Sequence, residues 1–439
     1  MRAHLTNAAF GALDYIAYPA GMLLLAPQIL RMLGMSRFGV WAMASAILMT
    51  GAVLASGFGN ANVRWVAQAR GTLRNRELVE TVRCALGIHL VLGLVIGGVA
   101  WCATPALAHF AVKAHIELTL DCLWSFRITA VLILIRAIET VCSSTQRAFG
   151  RYGSAIYASV TARVLSLILA CAMPAYGGVT AIMTATLIVS LIALWIQIYQ
   201  LKRLLGIRRL SPSFQGGSAR RLLEFGIFTW IQAVAGLLFG QVDRLLAGLA
   251  FGVSSVAVYT LCVQMTQPIY GITASGLNFL FPLLAANSER DSLRALRRKI
   301  LRALAANLAI VAAALAILIP FGSQILRMWV GPDVAQAAGQ VLPAAAWGSA
   351  LSALTVTGSY SLLALGRPRL VAGLSILGGL VMAGTLTLLI PRYGLAGIAY
   401  GRLFPGFVGL FVYIPLARLM MAPVGHAHSA NRLPICEEV

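Results

Sequence analysis

Residues 177–201 read GGVTAIMTATLIVSLIALWIQIYQL, 25 consecutive positions without an Asp, Glu, Lys, Arg or His. A helix rises about 1.5 Å per residue, so roughly 20 apolar residues cover the hydrocarbon core of a bilayer. This stretch therefore reads as a membrane-spanning helix. Working outward, runs of the same kind lie near 8–33, 38–58, 82–105, 119–142 and 154–173 before it. Others lie near 222–249, 252–283, 300–322, 336–364, 369–390 and 394–420 after it, which makes twelve. The whole chain agrees: of 439 residues, 59% are hydrophobic and 11% charged, and the mean hydropathy is +0.85. A soluble protein of this length cannot hide so much apolar surface. The expected fold class is an all-α integral membrane protein of about twelve transmembrane helices. A barrel is disfavoured, because the runs are continuous and do not alternate polar with apolar residues.

The first run differs from a signal peptide. It is long, carries Asp14, Pro19 and Pro27, and has no small-residue cleavage signature, so it reads as a retained helix. Arginine placement sets the orientation, since short cytoplasmic loops collect Lys and Arg. Arg64, Arg70, Arg74, Arg76 and Arg83 follow the second run; Arg147 and Arg151 the fourth; Lys202, Arg203, Arg208, Arg209, Arg220 and Arg221 the sixth. Arg290, Arg294, Arg297, Arg298, Lys299 and Arg302 follow the eighth, and Arg367 and Arg369 the tenth, whereas the odd-numbered loops are nearly bare. Both termini are therefore expected in the cytoplasm. The same asymmetry accounts for most of the net charge of +21 and the pI near 10.6. That charge is topology signal and attraction to anionic headgroups, and it does not point to nucleic acid.

Three local patterns recur at almost one offset. Leu33-Gly34-Met35-Ser36, with Trp41 beyond it, returns as Phe251-Gly252-Val253-Ser254 with Tyr259. Phe149-Gly150-Arg151 returns as Leu365-Gly366-Arg367, and Pro174-Ala175-Tyr176-Gly177-Gly178 as Pro391-Arg392-Tyr393-Gly394-Leu395. The offsets are 218, 216 and 217, close to half the chain. Two homologous six-helix bundles follow, and an even helix number relates them by an axis along the membrane normal. The expected division is an N-terminal bundle at 1–205, a linker at 206–221, a C-terminal bundle at 222–421 and a cytoplasmic tail at 422–439.

The run from Leu25 to Arg70, with LAPQILRMLGMSRFGVWAM and then SGFGNANVRWVAQAR, resembles the opening of the Wzx-type polysaccharide flippases. The likeness continues in QVDRLLAGLAFGVSSVAVYTLCVQM from Gln241, RMWVGPDV from Arg327, LLALGRPRLVAG from Leu362 and IPRYGLAGIAYG from Ile390. That superfamily also holds MATE-type multidrug exporters and lipid II flippases. The resemblance implies movement of an undecaprenyl-diphosphate-linked oligosaccharide from the cytoplasmic to the periplasmic leaflet of the bacterial inner membrane, by alternating access between two bundles. It implies a lipid-linked substrate, membrane lipids, and a polysaccharide polymerase with a chain-length regulator as partners, and no cofactor. Many relatives carry an acidic residue where this chain reads Ala55-Ser56-Gly57-Phe58-Gly59, so no acidic role transfers to that position.

Charges inside the spans are costly and tend to face cavities. They are Asp14 in the first span, Arg127, Arg136 and Glu139 in the fourth, Arg163 in the fifth, Asp243 and Arg244 in the seventh, and Arg402 in the twelfth. Five cations against three anions suit a diphosphate, because guanidinium forks bind phosphate oxygens bidentately and stay charged. Structural readings stand beside this one. Arg136 and Glu139, three apart, can neutralise each other on one helix face. Arg127 and Arg402 lie near periplasmic ends and can snorkel. Asp243 and Arg244 are adjacent and do not simply cancel. Asp14 either takes a coupling proton or sodium ion or pairs with an arginine.

Gln241, Gln264, Gln267, Tyr259 and Tyr270 either bind sugar hydroxyls or tie helices together. His89 reads as a hydrogen-bonded core residue, and Trp101, Trp124 and Trp329 as an aromatic belt. Seven scattered cysteines make neither a zinc site nor a disulfide framework. No P-loop, HExxH or GxSxG occurs, which argues against an enzyme. Two other functions stay open: a MATE-type exporter of cationic drugs, which would prefer an acidic cavity, and a non-transporting scaffold of a glycan-assembly complex, which would not need buried charge.

Overall fold

In hydrocarbon every backbone N–H and C=O must find its partner within the protein, and a helix meets that demand within one segment. The computed structural model describes residues 2–71, 75–112, 116–214, 216–240, 242–277, 284, 293–365 and 367–421, with side chains for most of them from Gly21 onward. Among these residues all regular structure is helical.

The first half comprises α1 (Arg2–Ser56), α2 (Gly59–Gly71), α3 (Asn75–Ala111), a short 3-10 turn, α4 (Thr119–Ala148), α5 (Tyr152–Ala172) and α6 (Pro174–Leu205). The second half comprises α7 (Gly216–Gly240), α8 (Val242–Phe251), α9 (Val253–Gly276), α10 (Leu293–Val330), α11 (Pro332–Ala337), α12 (Val341–Ala364), α13 (Pro368–Gly401), α14 (Leu403–Leu410) and α15 (Tyr413–Met421). Seven helical stretches are long and apolar enough to cross a membrane by length and composition. Among the described residues twelve apolar passes can be traced: α1 carries two, bent at Gly34 (φ 74°), α7 with α8 forms one, and the last runs from the bend in α13 at Gly394 (φ 59°) through α14 and α15.

Those bends support the internal repeat. Gly34 and Gly252 both take positive φ, at 74° and 81°, 218 residues apart. Gly178 (φ 65°, ψ −140°) and Gly394 (φ 59°, ψ −135°) share an uncommon backbone conformation 216 residues apart. A side chain is strained there, so glycine is what the bend requires. Ser36 and Ser254, repeat equivalents, meet each other through their Oγ atoms at 3.1 Å. Residues on a two-fold axis meet their own counterparts in this way.

The halves touch closely at that point. A Cβ on Gly39 would sit 1.7 Å from the Val253 carbonyl oxygen, so α1 and α9 are in backbone contact. Nearby, Trp329 Nε1 donates to the Leu23 carbonyl at 2.9 Å and ties α10 to α1. Its indole joins the halves, a contact that the aromatic-belt expectation did not include. At the opposite end, Trp230 Nε1 donates to the Leu54 carbonyl at 2.8 Å, and Arg221 pairs with Glu77 at 2.7 Å.

Within the expected linker at 206–221 the non-helical stretch is confined to its first part. Gly206 caps α6 in the left-handed region (φ 65°), and α7 already begins at Gly216. The segment between is docked on α3, where Ser213 N donates to the Arg83 carbonyl at 3.1 Å and Arg83 Nη2 donates to the Arg209 carbonyl at 3.2 Å. Several helices outrun their apolar runs, such as Asn75–Ala111 against 82–105, because their polar ends continue the helix beyond the lipid. The expected tail at 422–439 lies outside the described residues.

Candidate functional site

Helix α4 places Arg136, Thr140, Ser143 and Arg147 at steps of four, three and four residues, which is one face of an α-helix. Helix α5 does the same with Ser159, Arg163 and Ser166. The two faces meet across a cavity of about 330 Å³, closed on other sides by Trp41, Ser45 and Met49 of α1 and Thr186 of α6. The size lies at the small end of the range for ligand pockets, about 300–1,000 Å³.

Three guanidinium groups and one carboxylate line this cavity. Arg136 Nη1 donates to Glu139 Oε2 at 2.6 Å. Gln197 Nε2, fully buried on α6, donates to Glu139 Oε1 at 3.1 Å. Arg163 is a second cation within electrostatic reach of that carboxylate. Arg147 stands exposed at one end and donates from Nη2 to its neighbour Ser143 Oγ at 3.3 Å. Three cations against one anion leave the lining at +2.

Sequence reasoning therefore named Arg136, Arg163 and Glu139 and missed Arg147, which it had read as topology signal. The signal that finds it is the polar stripe on α4, which runs unbroken from Arg136 to Arg147.

The remaining candidates are placed elsewhere. Arg402 Nη1 donates to Asp243 Oδ2 at 2.5 Å, and the fully buried Tyr259 hydroxyl donates to the same oxygen at 2.6 Å. Asp243 is itself fully buried, and its Oδ1 accepts from the Arg244 backbone N–H at 2.8 Å. Arg402 is thus held on Asp243 together with Tyr259, outside the cavity between α4 and α5. The Arg127 guanidinium lies 5.2 Å from the ring centroids of both Trp101 and Trp124. Two aromatic rings thus flank the cation at cation–π distance, and Arg127 is not among the residues lining the cavity. Arg244, Gln264, Gln267 and Tyr270 do not line the cavity either; Gln264 is buried, while Gln267 and Tyr270 are exposed. Asp14 lies within α1, but its side chain is outside the described residues, as is Gln241.

His89 is fully buried, its Nδ1 2.8 Å from the Ala85 carbonyl, as a core histidine should be. Asp121 caps the sixth crossing, accepting from Val179 N at 3.1 Å and Thr180 N at 2.7 Å. Among the described residues no cysteine forms a disulfide, Cys102 and Cys122 included.

The arrangement is shared with solved membrane transporters. An inward-facing multidrug resistance MATE family transporter of the MOP superfamily is 18% identical, with 93% of this chain and 98% of that one covered and a TM-score of 0.72. The lipid II flippase MurJ, in an inward closed conformation, is 15% identical, with 94% and 87% covered and a TM-score of 0.74. An outward-facing MATE family transporter is 16% identical, with 94% and 97% covered and a TM-score of 0.55. At such identities these likenesses establish the fold. No curated protein is matched by the sequence. Residues 29–332, well over half of the chain, match the model of the polysaccharide biosynthesis protein family, and the chain belongs to that family.

Proposed function

We propose that this protein moves a polyprenyl-diphosphate-linked oligosaccharide across the bacterial inner membrane, from the cytoplasmic to the periplasmic leaflet, for surface polysaccharide assembly. The observation that carries the reading is the cavity between α4 and α5 with its net charge of +2. A diphosphate diester brings two negative charges, and the three guanidinium groups offer planar donor forks matched to phosphate oxygens. Ser45, Thr140, Ser159 and Thr186 add hydroxyls around them. The cavity takes the charged headgroup, which is the part that hydrocarbon rejects. The polyprenyl chain stays in lipid.

Alternation between the halves is supported by their repeat-related meeting point, where Ser36 faces Ser254. With the cytoplasm negative, outward movement of each negative charge gains about 2.3 kcal/mol per 100 mV, so membrane potential drives a diphosphate outward. Coupling to a proton or sodium ion through Asp14 would be an addition to that drive. The polymerase and the chain-length regulator that use the product are partners on the same reading. An exporter of cations is the weaker alternative, because the cavity's one carboxylate is already engaged by Arg136 and Gln197.

The test is flipping of fluorescent undecaprenyl-diphosphate oligosaccharide in reconstituted vesicles under an imposed potential. Wild type is expected to flip it and Arg163→Ala to lose flipping while staying folded. Proton-coupled efflux of organic cations by a wild type that flips nothing would overturn the proposal.

A further inference from the structure

Two buried ion pairs among the described residues are treated differently. Asp243 is sealed: it is fully buried, and Tyr259 and Arg402 occupy the same carboxylate oxygen. Glu139 instead lines the cavity, with Oε2 on Arg136 and Oε1 held by Gln197 from behind. At the repeat offset of 217, the counterparts of Arg136, Glu139 and Arg163 are Ala353, Val356 and Leu380. The fold therefore builds the equivalent helices without any ion pair. A carboxylate oxygen also accepts from a guanidinium in the way a phosphate oxygen does.

We propose that Glu139 is a built-in stand-in for the substrate's phosphate. In the empty cavity it occupies Arg136, which would otherwise be an uncompensated charge in a low dielectric. An arriving diphosphate takes Arg136 and Arg163, and Glu139 falls back on Gln197. When the cavity opens to the far side, Glu139 competes for Arg136 again and expels the headgroup. The charges balance at each stage: the lining is at +2 when empty and neutral when a dianionic diphosphate is bound. Glu139 acts through Arg136 and is a positioning residue. This inference rests on the reading that the cavity receives a diphosphate.

Glu139→Gln removes the competitor and keeps the Gln197 contact. Diphosphate should then bind more tightly by about tenfold or more, the size of one charge-assisted hydrogen bond, while release slows. Affinity and turnover thus move in opposite directions, which a merely structural role would not produce.

The experiment measures inorganic pyrophosphate binding to the purified full chain, and flipping of fluorescent lipid-linked oligosaccharide in vesicles, for wild type, Glu139→Gln, Glu139→Asp and Arg163→Ala. The Asp variant draws the carboxylate back by one methylene and keeps the charge, so it decides the matter if the Gln variant does not fold. Tighter pyrophosphate binding with slower flipping, stronger in Gln than in Asp, is the expected result. Unchanged or weaker binding in both, with binding lost in Arg163→Ala, overturns the stand-in and leaves the cavity reading intact. Equal binding by wild type and Arg163→Ala overturns both.

Discussion

The two halves of this protein share a backbone plan and differ in where they keep charge. The first half holds Arg136, Glu139, Arg147 and Arg163 around an open cavity. The second half holds Asp243, Tyr259 and Arg402 in one hydrogen-bonded cluster around a fully buried carboxylate. Carried back by 218, 218 and 217 positions, that triad falls on Leu25, Trp41 and Ala185. Trp41 lines the cavity of the first half, whereas its counterpart Tyr259 gives its hydroxyl to Asp243. Glycine bends are thus repeated because they make the fold. Charges are not repeated, and they line a cavity in one half while they bond to one another in the other.

That contrast breaks most visibly at Asp243. Asp243→Asn leaves Arg402 buried beside a neutral amide and should cost about 3–5 kcal/mol, read as a lowered midpoint of thermal unfolding in detergent. Replacing both partners, Asp243→Leu with Arg402→Met, should recover most of that loss, because a well-packed apolar pair avoids the desolvation cost. If the second-half triad were instead a transport site, the double variant would be stable and inactive.

Arg163→Ala should do the reverse: flipping falls by about tenfold or more, as expected for loss of a charge-assisted contact, with little change in unfolding. Equal losses of stability and transport at Arg163 would erase the distinction between the halves.

The contact between the halves offers a sharper test. Gly39→Ala pushes the Val253 backbone away and should cost about 1–3 kcal/mol through overpacking. Its readout is disulfide formation between cysteines placed at Ser36 and Ser254, efficient in the parent and poor in the Ala variant. The smallest effect is expected for Trp329→Phe, which keeps the ring and loses one hydrogen bond to the Leu23 carbonyl. About 0.5–1.5 kcal/mol in unfolding free energy is the scale. No change at all would return Trp329 to the aromatic belt.

Much of this was legible in the sequence. The apolar runs marked the crossings, and the recurrence of Gly34 at Gly252 and of Tyr176-Gly177 at Tyr393-Gly394 marked the repeat. Arg136 and Arg163 were singled out as intramembrane cations, and the spacing of Arg136 and Glu139 foretold their pairing at 2.6 Å. Arg147 was hidden by its own usefulness as a topology signal. The surroundings of Arg402 and Arg127 were not legible for a common reason: each has partners far away in the chain or spread over two helices. Asp243 and Arg402 are 159 residues apart, and no spacing rule connects them.

The sequence alone determined that the chain spans a membrane many times, as helices, in two related halves. Those properties depend on hydropathy and glycine placement, which act locally along the chain because lipid demands that each segment satisfy its own backbone. Only the tertiary structure decided which intramembrane charges line a cavity and which are enclosed against one another. A buried charge is defined by what lies within a few ångströms of it, and in this fold those neighbours come from helices distant in sequence.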